Sequence, residues 1–317
     1  MKIYANLHTH STHSDGVYTP AELVKIAKDE GYGALAITDH DTATAYPELK
    51  LECDKLGMET IFGCEFSVYS EEFHCKFHIT AYGFDPEYPD MKAYLRDCST
   101  AHTRECEILF ERGRENGFIS KELSWLDVLE FNKGITWLGN DHVFRTMKAK
   151  GIATDKDYSD FYQNVYGKHR AEVPKTFEFL SLEQIIPLIK AAGGICIVAH
   201  PSPPYGKLEY VPRLAELGID GIEVWHSLLT DADRIDALKL ALKYKLYVSG
   251  GSDHAGLCGG QYSFYEDYKN TNYYIPELST GTTKEFFEEM KTRTLMSERE
   301  KYINEIIEEI KSKIKGA

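Results

Sequence analysis

His8 and His10 stand two residues apart at the end of a strand-like run, and Asp15 follows in the same stretch, Leu7-His8-Thr9-His10-Ser11-Thr12-His13-Ser14-Asp15-Gly16. Alternate residues of an extended chain point to one side, so the two imidazoles can meet at one point in space. Neutral imidazole is the commonest protein donor to metal ions, and a carboxylate oxygen a few residues on suits the set to a first-row divalent cation. On its own, an H-x-H pair is equally compatible with two polar residues lining a strand edge.

The same design recurs along the chain. Ala34-Leu35-Ala36-Ile37-Thr38 runs into Asp39-His40-Asp41, and Glu59-Thr60-Ile61-Phe62-Gly63 runs into Cys64-Glu65. Ile195-Cys196-Ile197-Val198-Ala199 ends at His200-Pro201, and Leu246-Tyr247-Val248-Ser249-Gly250-Gly251 ends at Ser252-Asp253-His254. Each run has strand length and β-branched content. Parallel β/α units put the C-terminal ends of their strands on one face, where barrel-type enzymes build their sites. A buried core histidine accounts for any one of these endings but not for the set.

The intervening stretches supply the helices that such units need. Thr19-Pro20-Ala21-Glu22 is a helix start, with Thr19 as N-cap and Pro20 at the first helical position. A helix over about 45–56 follows, then the strand ending at Glu65. A strand over 73–84 puts His74 and His78 on one face. From Met91 to about Asn116 the pattern is helical, with further helical pieces at about 121–130, 141–150 and 155–163 and no strand-plus-ligand unit among them. After a strand at 219–224 and a helix at 231–243, a C-terminal helix spans about 284–314, with Phe286, Phe287, Met290, Ile303, Ile306, Ile307 and Ile310 on its apolar face.

The order H-x-H, S-D-G, T-D-H-D, G-x-E, H-I, A-H-P and G-S-D, carried by residues 7–83 and 193–256, resembles the PHP (polymerase and histidinol phosphatase) superfamily of metal-dependent phosphoesterases. Thr38-Asp39-His40-Asp41-Thr42 and Ala199-His200-Pro201 are most similar to its bacterial branch of nucleotide phosphatases and short-RNA 5′-3′ exonucleases. The resemblance implies an α/β fold, a distorted (β/α)7-type PHP barrel made of 1–93 and 181–280, with a helical insertion over 94–180 capping its mouth and a C-terminal helix over 281–317 packed on the body.

It also implies two to three divalent ions, zinc, manganese or iron, with magnesium compatible. His8, His10, Glu65 and Asp253 would hold the first, and Glu65 would bridge to a second held by His78 and His200. Asp15, His40 and His254 would hold a third. His78 is selected by the resemblance, whereas His74 is expected to be a solvated strand residue. Asp39 and Asp41, flanking His40, are expected to orient imidazoles from outside the ligand set. Glu223 and His226 carry no metal role in the family and are expected to make a helix cap or a core hydrogen bond. The implied reaction is hydrolysis of phosphate monoesters of nucleotides or related small phosphates by a water that the ions activate, lowering its pKa from near 16 toward about 7. The alternatives are a histidinol-phosphate phosphatase and a metal-binding PHP module without turnover.

The chain departs from the family pattern twice. Where the resembled branch has G-R-x-H, with an arginine expected to contact the substrate phosphate, this sequence reads Gly139-Asn140-Asp141-His142. A neutral amide does not replace a bidentate guanidinium, so substrate contacts are expected from His142, Arg145, Lys168 and Arg170. At the last motif the family has S-D-x-H, but here His254 directly follows Asp253. Adjacent residues of a strand face opposite sides, so both can bind metal only if the backbone turns there, as Gly250, Gly251 and Gly256 would permit.

A net charge of −14 argues against a sequence-blind electrostatic grip on long nucleic acid but not against a short anionic substrate held through metal ions. The expected partner is therefore a small phosphorylated molecule such as a nucleotide or short oligonucleotide, not duplex nucleic acid or a membrane. The cysteines are odd in number and lack a C-x-x-C pair, so neither a disulfide framework nor a zinc knuckle is suggested. No basic-then-apolar leader precedes the first strand and no apolar run approaches the roughly 18 residues a membrane helix needs, so the expected compartment is the cytoplasm.

Overall fold

The computed structural model describes residues 1–175, 177–253 and 280–316. Its elements in chain order are β1 (Ala5–Asn6), α1 (Pro20–Asp29), β2 (Ala34–Leu35), α2 (Tyr46–Leu56), β3 (Glu59–Thr60), β4 (Gly63–Ser70), β5 (Cys75–Tyr82), α3 (Pro89–Glu115), α4 (Trp125–Phe131), α5 (Asn140–Ala149), α6 (Tyr158–Phe161), α7 (Leu182–Ala191), β6 (Ile195–Val198), α8 (Val211–Leu217), β7 (Gly221–Trp225), α9 (Asp231–Tyr244), β8 (Tyr247–Gly250), α10 (Lys284–Thr292) and α11 (Arg299–Gly316). The fold is mixed α/β. No helix of the described residues is long and apolar enough to cross a membrane.

The strands form two sheets, β1-β2-β3 and β4-β5-β6-β7-β8. The first is parallel, with Ala5 opposite Ala34 and Ala34 opposite Glu59. Helix α1 makes the β1-to-β2 crossover, and its start is the reciprocal cap that the sequence implies: Thr19 Oγ1 accepts from Glu22 N–H at 3.3 Å and Glu22 Oε2 accepts from Thr19 N–H at 2.8 Å. The sheets touch along both margins. Leu7 N–H donates to Gly250 O (3.1 Å) and Asp253 N–H to His8 O (2.8 Å), while Asp41 N–H donates to Glu65 O (2.9 Å) and Glu65 N–H to Asp39 O (3.2 Å).

Two expectations from the sequence need correction here. Not every ligand-bearing strand is parallel: β4 and β5 are antiparallel, as are β5 and β6. The four residues Glu71–His74 between β4 and β5 make a hairpin turn, too short for the crossover that a parallel pair requires. Glu65 therefore lies near the start of a strand, and His78 lies within one. Exposed His74 has a left-handed backbone (φ 50°) in that turn. The C-terminal segment is two helices, not one. Helix α10 ends at Arg293 (φ 59°), and the chain returns so that Arg299 Nε meets both Glu289 oxygens at 3.0 Å, buried, while its guanidinium donates to Ala241 O and Leu246 O. The break lets Phe286, Phe287 and Met290 pack beneath the sheets and lets Ile303, Ile306, Ile307 and Ile310 cover the main core.

The main core lies between β4–β8 and helices α3, α7, α8, α9 and α11. A second core draws only on residues 106–173, including Phe110, Val128, Phe144, Tyr158 and Phe161. Helix α3 joins the two, since Met91, Tyr94, Leu95 and Cys98 lie in the first and Cys106, Leu109 and Phe110 in the second.

Candidate metal centre

Glu65 is fully buried and stands among five imidazoles. Its Oε2 is 3.2 Å from His8 Nε2, 3.2 Å from His10 Nε2 and 3.3 Å from His40 Nδ1. Its Oε1 is 2.9 Å from His78 Nδ1 and 3.2 Å from His200 Nε2. One oxygen thus faces the β1 and β2 side and the other the β5 and β6 side. Asp253 closes the first group, with Oδ1 2.9 Å from His10 Nε2 and 3.5 Å from His8 Nε2.

The backbone brings these side chains together by close approach and by turning. Gly251 lies against His8: a β-carbon there would sit 2.3 Å from the His8 Cβ, so the end of β8 can reach the H-x-H only without a side chain. Asp253 (φ 52°) and His200 (φ 27°) occupy the left-handed region. The chain therefore does turn at Asp253, while His254 lies outside the described residues.

Ligand atoms of His8, His10, Glu65 and Asp253 all lie within 4.8 Å of one another, as do those of His10, Asp15 and His40 and those of His40, Glu65 and His78. Asp15 Oδ1 is 3.5 Å from His10 Nδ1, and Asp15 Oδ2 is 3.8 Å from His40 Nε2. Several of these atoms are buried with no aligned hydrogen bond among the described residues: His8 Nε2, His40 Nδ1 and Glu65 Oε2. Buried polar atoms are normally satisfied, so donors that converge without bonding one another fit a cation at their common point.

The electrostatics agree. Burial pulls the His8 imidazole down, but Glu65, Glu223 and Asp253 outweigh it and hold its pKa well above the usual histidine value. His10 behaves likewise, with Asp15, Asp253 and Glu65 overcoming burial. Burial would raise Glu65 and Asp253, yet the surrounding histidines keep both well below the ordinary carboxylate range. His78 is the exception, lowered to about 4 because its burial outweighs Glu65. The cluster thus concentrates negative charge that protons or cations neutralise.

The flanking aspartates do something other than expected. Asp39 accepts from Ser11 N–H (2.7 Å), Ser11 Oγ (2.6 Å) and Ser14 Oγ (2.6 Å), and so braces the loop from His10 to Gly16. Asp41 accepts from Ser67 N–H at 3.2 Å, with burial pushing its carboxyl up to about 7. Neither hydrogen-bonds an imidazole among the described residues. The contacts made to candidate ligands come from Glu223 and His226. Glu223 lies 3.2 Å from His8 Nδ1, and His226 Nε2 lies 3.4 Å from Asp253 Oδ2. His226 Nδ1 accepts from Leu228 N–H (3.1 Å), so the proton sits on Nε2 and faces Asp253.

The residues considered for substrate contact are not gathered at one point. His142 has both ring nitrogens engaged, Nδ1 by Gly139 N–H at 3.0 Å and Nε2 by Thr12 O at 3.0 Å. Arg145 Nη1 donates to Gly16 O at 2.5 Å. Both side chains therefore tie α5 to the loop that carries the candidate ligands His10 and Asp15. Arg170 is exposed and paired with Glu105, and the Lys168 side chain lies outside what the structure describes. Asn140, at the place of the missing arginine, donates to Tyr158 Oη (2.7 Å) and Asp141 Oδ2 (3.0 Å). Sequence reasoning missed two rings beside the ligands: Trp137 near His40 (centroids 6.4 Å apart) and Tyr205 against His78 (4.1 Å). Neither sits in a spacing pattern that would have marked it.

A convergence of imidazoles and carboxylates at the meeting edges of two sheets fits a metal centre, and comparison with known proteins gives the family. The PHP domain model matches residues 6–127. The chain is 31% identical over 261 residues to a 5′-3′ exoribonuclease of Haemophilus influenzae, covering 80% of this chain and 90% of that one. It is 31% identical over 271 residues to a 3′,5′-nucleoside bisphosphate phosphatase of Chromobacterium violaceum, covering 81% and 89%. With a phosphoribosyl 1,2-cyclic phosphate 1,2-diphosphodiesterase of Eggerthella lenta the identity is 28% over 256 residues, covering 80% and 95%. Among solved structures, a candidate metal-dependent phosphoesterase of Bifidobacterium adolescentis superposes with a TM-score of 0.72 at 25% identity, over 93% of this chain and 98% of that one. The protein belongs to the PHP domain family. The relatives it matches over about four-fifths of its length are named as hydrolases of phosphoester bonds.

Proposed function

We propose that the protein is a metal-dependent phosphoesterase that releases phosphate from nucleotides or the ends of short oligonucleotides. The observation that carries this is the division of Glu65, whose two oxygens face separate sets of imidazoles. A carboxylate divided in this way would offer one oxygen to each of two neighbouring groups of candidate ligands. His8, His10, Glu65 and Asp253 would hold one ion, and Glu65 with His78 and His200 a second. Asp15 and His40 would hold a third. Bound divalent ions supply Lewis acidity that neutralises phosphoryl oxygens and lowers the pKa of water. The mixed imidazole and carboxylate donor set suits zinc, manganese or iron.

The chain's own groups prepare the site for an anionic ester. Asp39 rigidifies the loop that carries Asp15, and α5 fastens it from the other side through His142 and Arg145. We read residues 94–180 as a cap over the mouth of a distorted PHP barrel formed by 1–93 and 181–280. The separate core of 106–173 and the contacts of α5 with residues 12–16 support the cap. The hydrogen bonds that join the two sheets at both margins support the barrel. Such a cap would limit bulk water around the reacting phosphate and admit chain ends more readily than internal bonds. The unpaired state of the described cysteines supports a cytoplasmic location.

The test is phosphate release from a panel of mononucleotides, 3′,5′-bisphosphates, histidinol phosphate and short RNAs, with manganese, magnesium, zinc and iron supplied separately. The expected result is metal-dependent turnover of the nucleotides or short RNAs, lost on chelation. Turnover of histidinol phosphate alone would overturn the substrate class, and the absence of metal-dependent turnover on every substrate would overturn the activity.

A further inference from the structure

Glu223 is a fully buried carboxylate in the middle of β7, outside all three groups of candidate ligands. Burying a carboxylate is costly unless it is fully hydrogen-bonded, so its partners show what it serves. Its Oε2 accepts from the backbone N–H of His200 at 2.7 Å, at a residue held in a left-handed conformation (φ 27°). Its Oε1 and Oε2 lie 3.2 and 3.3 Å from His8 Nδ1. One side chain on β7 therefore reaches the ligand residue after β6 on one side and the ligand residue after β1 on the other.

Resting on the reading of this cluster as a metal centre, we propose that Glu223 is a positioning residue that fixes the tautomer of His8 and the strained backbone of His200, so that both rings present metal-binding nitrogens. A carboxylate only accepts hydrogen bonds, so the proton of a neutral His8 sits on Nδ1. The lone pair is left on Nε2, which points at Glu65 Oε2 (3.2 Å) and Asp253 Oδ1 (3.5 Å) and has no aligned hydrogen bond among the described residues. Without the acceptor the imidazole could carry its proton on Nε2, where it cannot bind a cation. The same carboxylate rewards the unusual backbone at His200, which otherwise returns to a conformation that moves its ring away from Glu65.

Replacement by glutamine separates this role from simple packing. In Glu223→Gln the remaining oxygen can serve His200 N–H, but the amide then turns a donor toward His8 Nδ1 and favours the wrong tautomer; the opposite flip sets two donors against each other at His200. Glu223→Ala removes the acceptor without adding a donor. Zinc binding by calorimetry and metal content by mass spectrometry, on the full chain, should rank wild type first, alanine second and glutamine last, with glutamine at least about tenfold weaker than wild type. A packing role would rank glutamine above alanine, and that order, or wild-type affinity in Glu223→Gln, overturns the proposal. Should either variant fail to fold, the imidazole nitrogen NMR spectrum of the zinc-loaded wild type decides: a proton on His8 Nδ1 supports the proposal, and metal on Nδ1 overturns it. Failure of the wild type itself to bind zinc would overturn the metal-centre reading, a result distinguishable from an altered ranking among variants.

Discussion

Glu65 Oε1 lies 2.9 Å from His78 Nδ1, although the two residues come from antiparallel neighbours, β4 and β5, and are not directly opposite: Glu65 pairs with Thr80, and His78 with Ser67. The contact is a diagonal one across the hairpin, within the reach of long side chains on one face. It leaves Oε2 free to turn toward His8 and His10. Glu65→Gln keeps the shape but removes the charge and one of the two oxygen acceptors. Turnover should fall by roughly 100-fold or more, beyond the cost of losing an outer partner, while circular dichroism remains native. Wild-type turnover in a folded variant would contradict a bridging carboxylate.

Metal binding should release protons. His8 and His10 are held well above the usual histidine value by Glu65, Asp253 and their neighbours after burial has pulled the other way, so the metal-free cluster carries protons that a cation must displace. A raised histidine contributes stability that is fully present below its unfolded value of about 6.5 and is lost as pH rises through the folded value. The metal-free protein should therefore lose thermal stability above about pH 6.5, and the rise in melting temperature on adding zinc or manganese should grow between pH 6 and pH 8.5. Scanning with and without chelator measures both, and a metal-induced shift that shrinks with pH would contradict the protonated cluster.

The latch between α5 and the first ligand loop is testable by itself. His142→Ala leaves Gly139 N–H and Thr12 O without their imidazole partner in a buried setting, which should cost about 1–3 kcal/mol in chemical denaturation. Because the loop also carries Asp15, the variant should lose the weakest bound ion before the others. Unchanged stability together with unchanged metal stoichiometry would contradict the latch.

If residues 94–180 cap the mouth, the protein should act at chain ends. A linear 5′-phosphorylated short RNA should lose its terminal phosphate and a circular RNA of the same sequence should stay intact, as read by phosphate release and on a denaturing gel. Efficient cutting of the circle would contradict a cap over the site.

The grouping of the candidate ligands was legible where it depends on local spacing. His8 and His10 share a side because strand periodicity is two, and the recurrence of apolar runs ending in His, Asp or Glu marks the strands that converge. The direction of β4 and β5 is written in the short turn Glu71–His74, but the ligand-ended pattern alone implies a parallel unit. The break at Arg293 leaves a trace in the sequence, since on one continuous helix Phe286, Phe287 and Met290 would fall on the side opposite to Ile303, Ile306, Ile307 and Ile310, but the course of the return depends on Arg299 reaching Glu289 and two carbonyls of the body. The work of Asp39, Asp41, His142 and Glu223 is long-range: Ser11 comes 28 residues before Asp39, and His8 215 residues before Glu223. No window of sequence contains both partners of such a contact. The arginine absent at Asn140 illustrates the converse, since the departure is plain in the sequence but Arg145 and His142 both turn to the loop backbone instead.

The most direct measurement is the number of metal ions bound per chain, determined by mass spectrometry on protein reconstituted with manganese or zinc, alongside phosphate release from a nucleotide by the same sample. The Glu65-centred cluster predicts two to three ions per chain and turnover that rises with occupancy and vanishes on chelation. At most one ion per chain, or phosphate release indifferent to chelation, would contradict it.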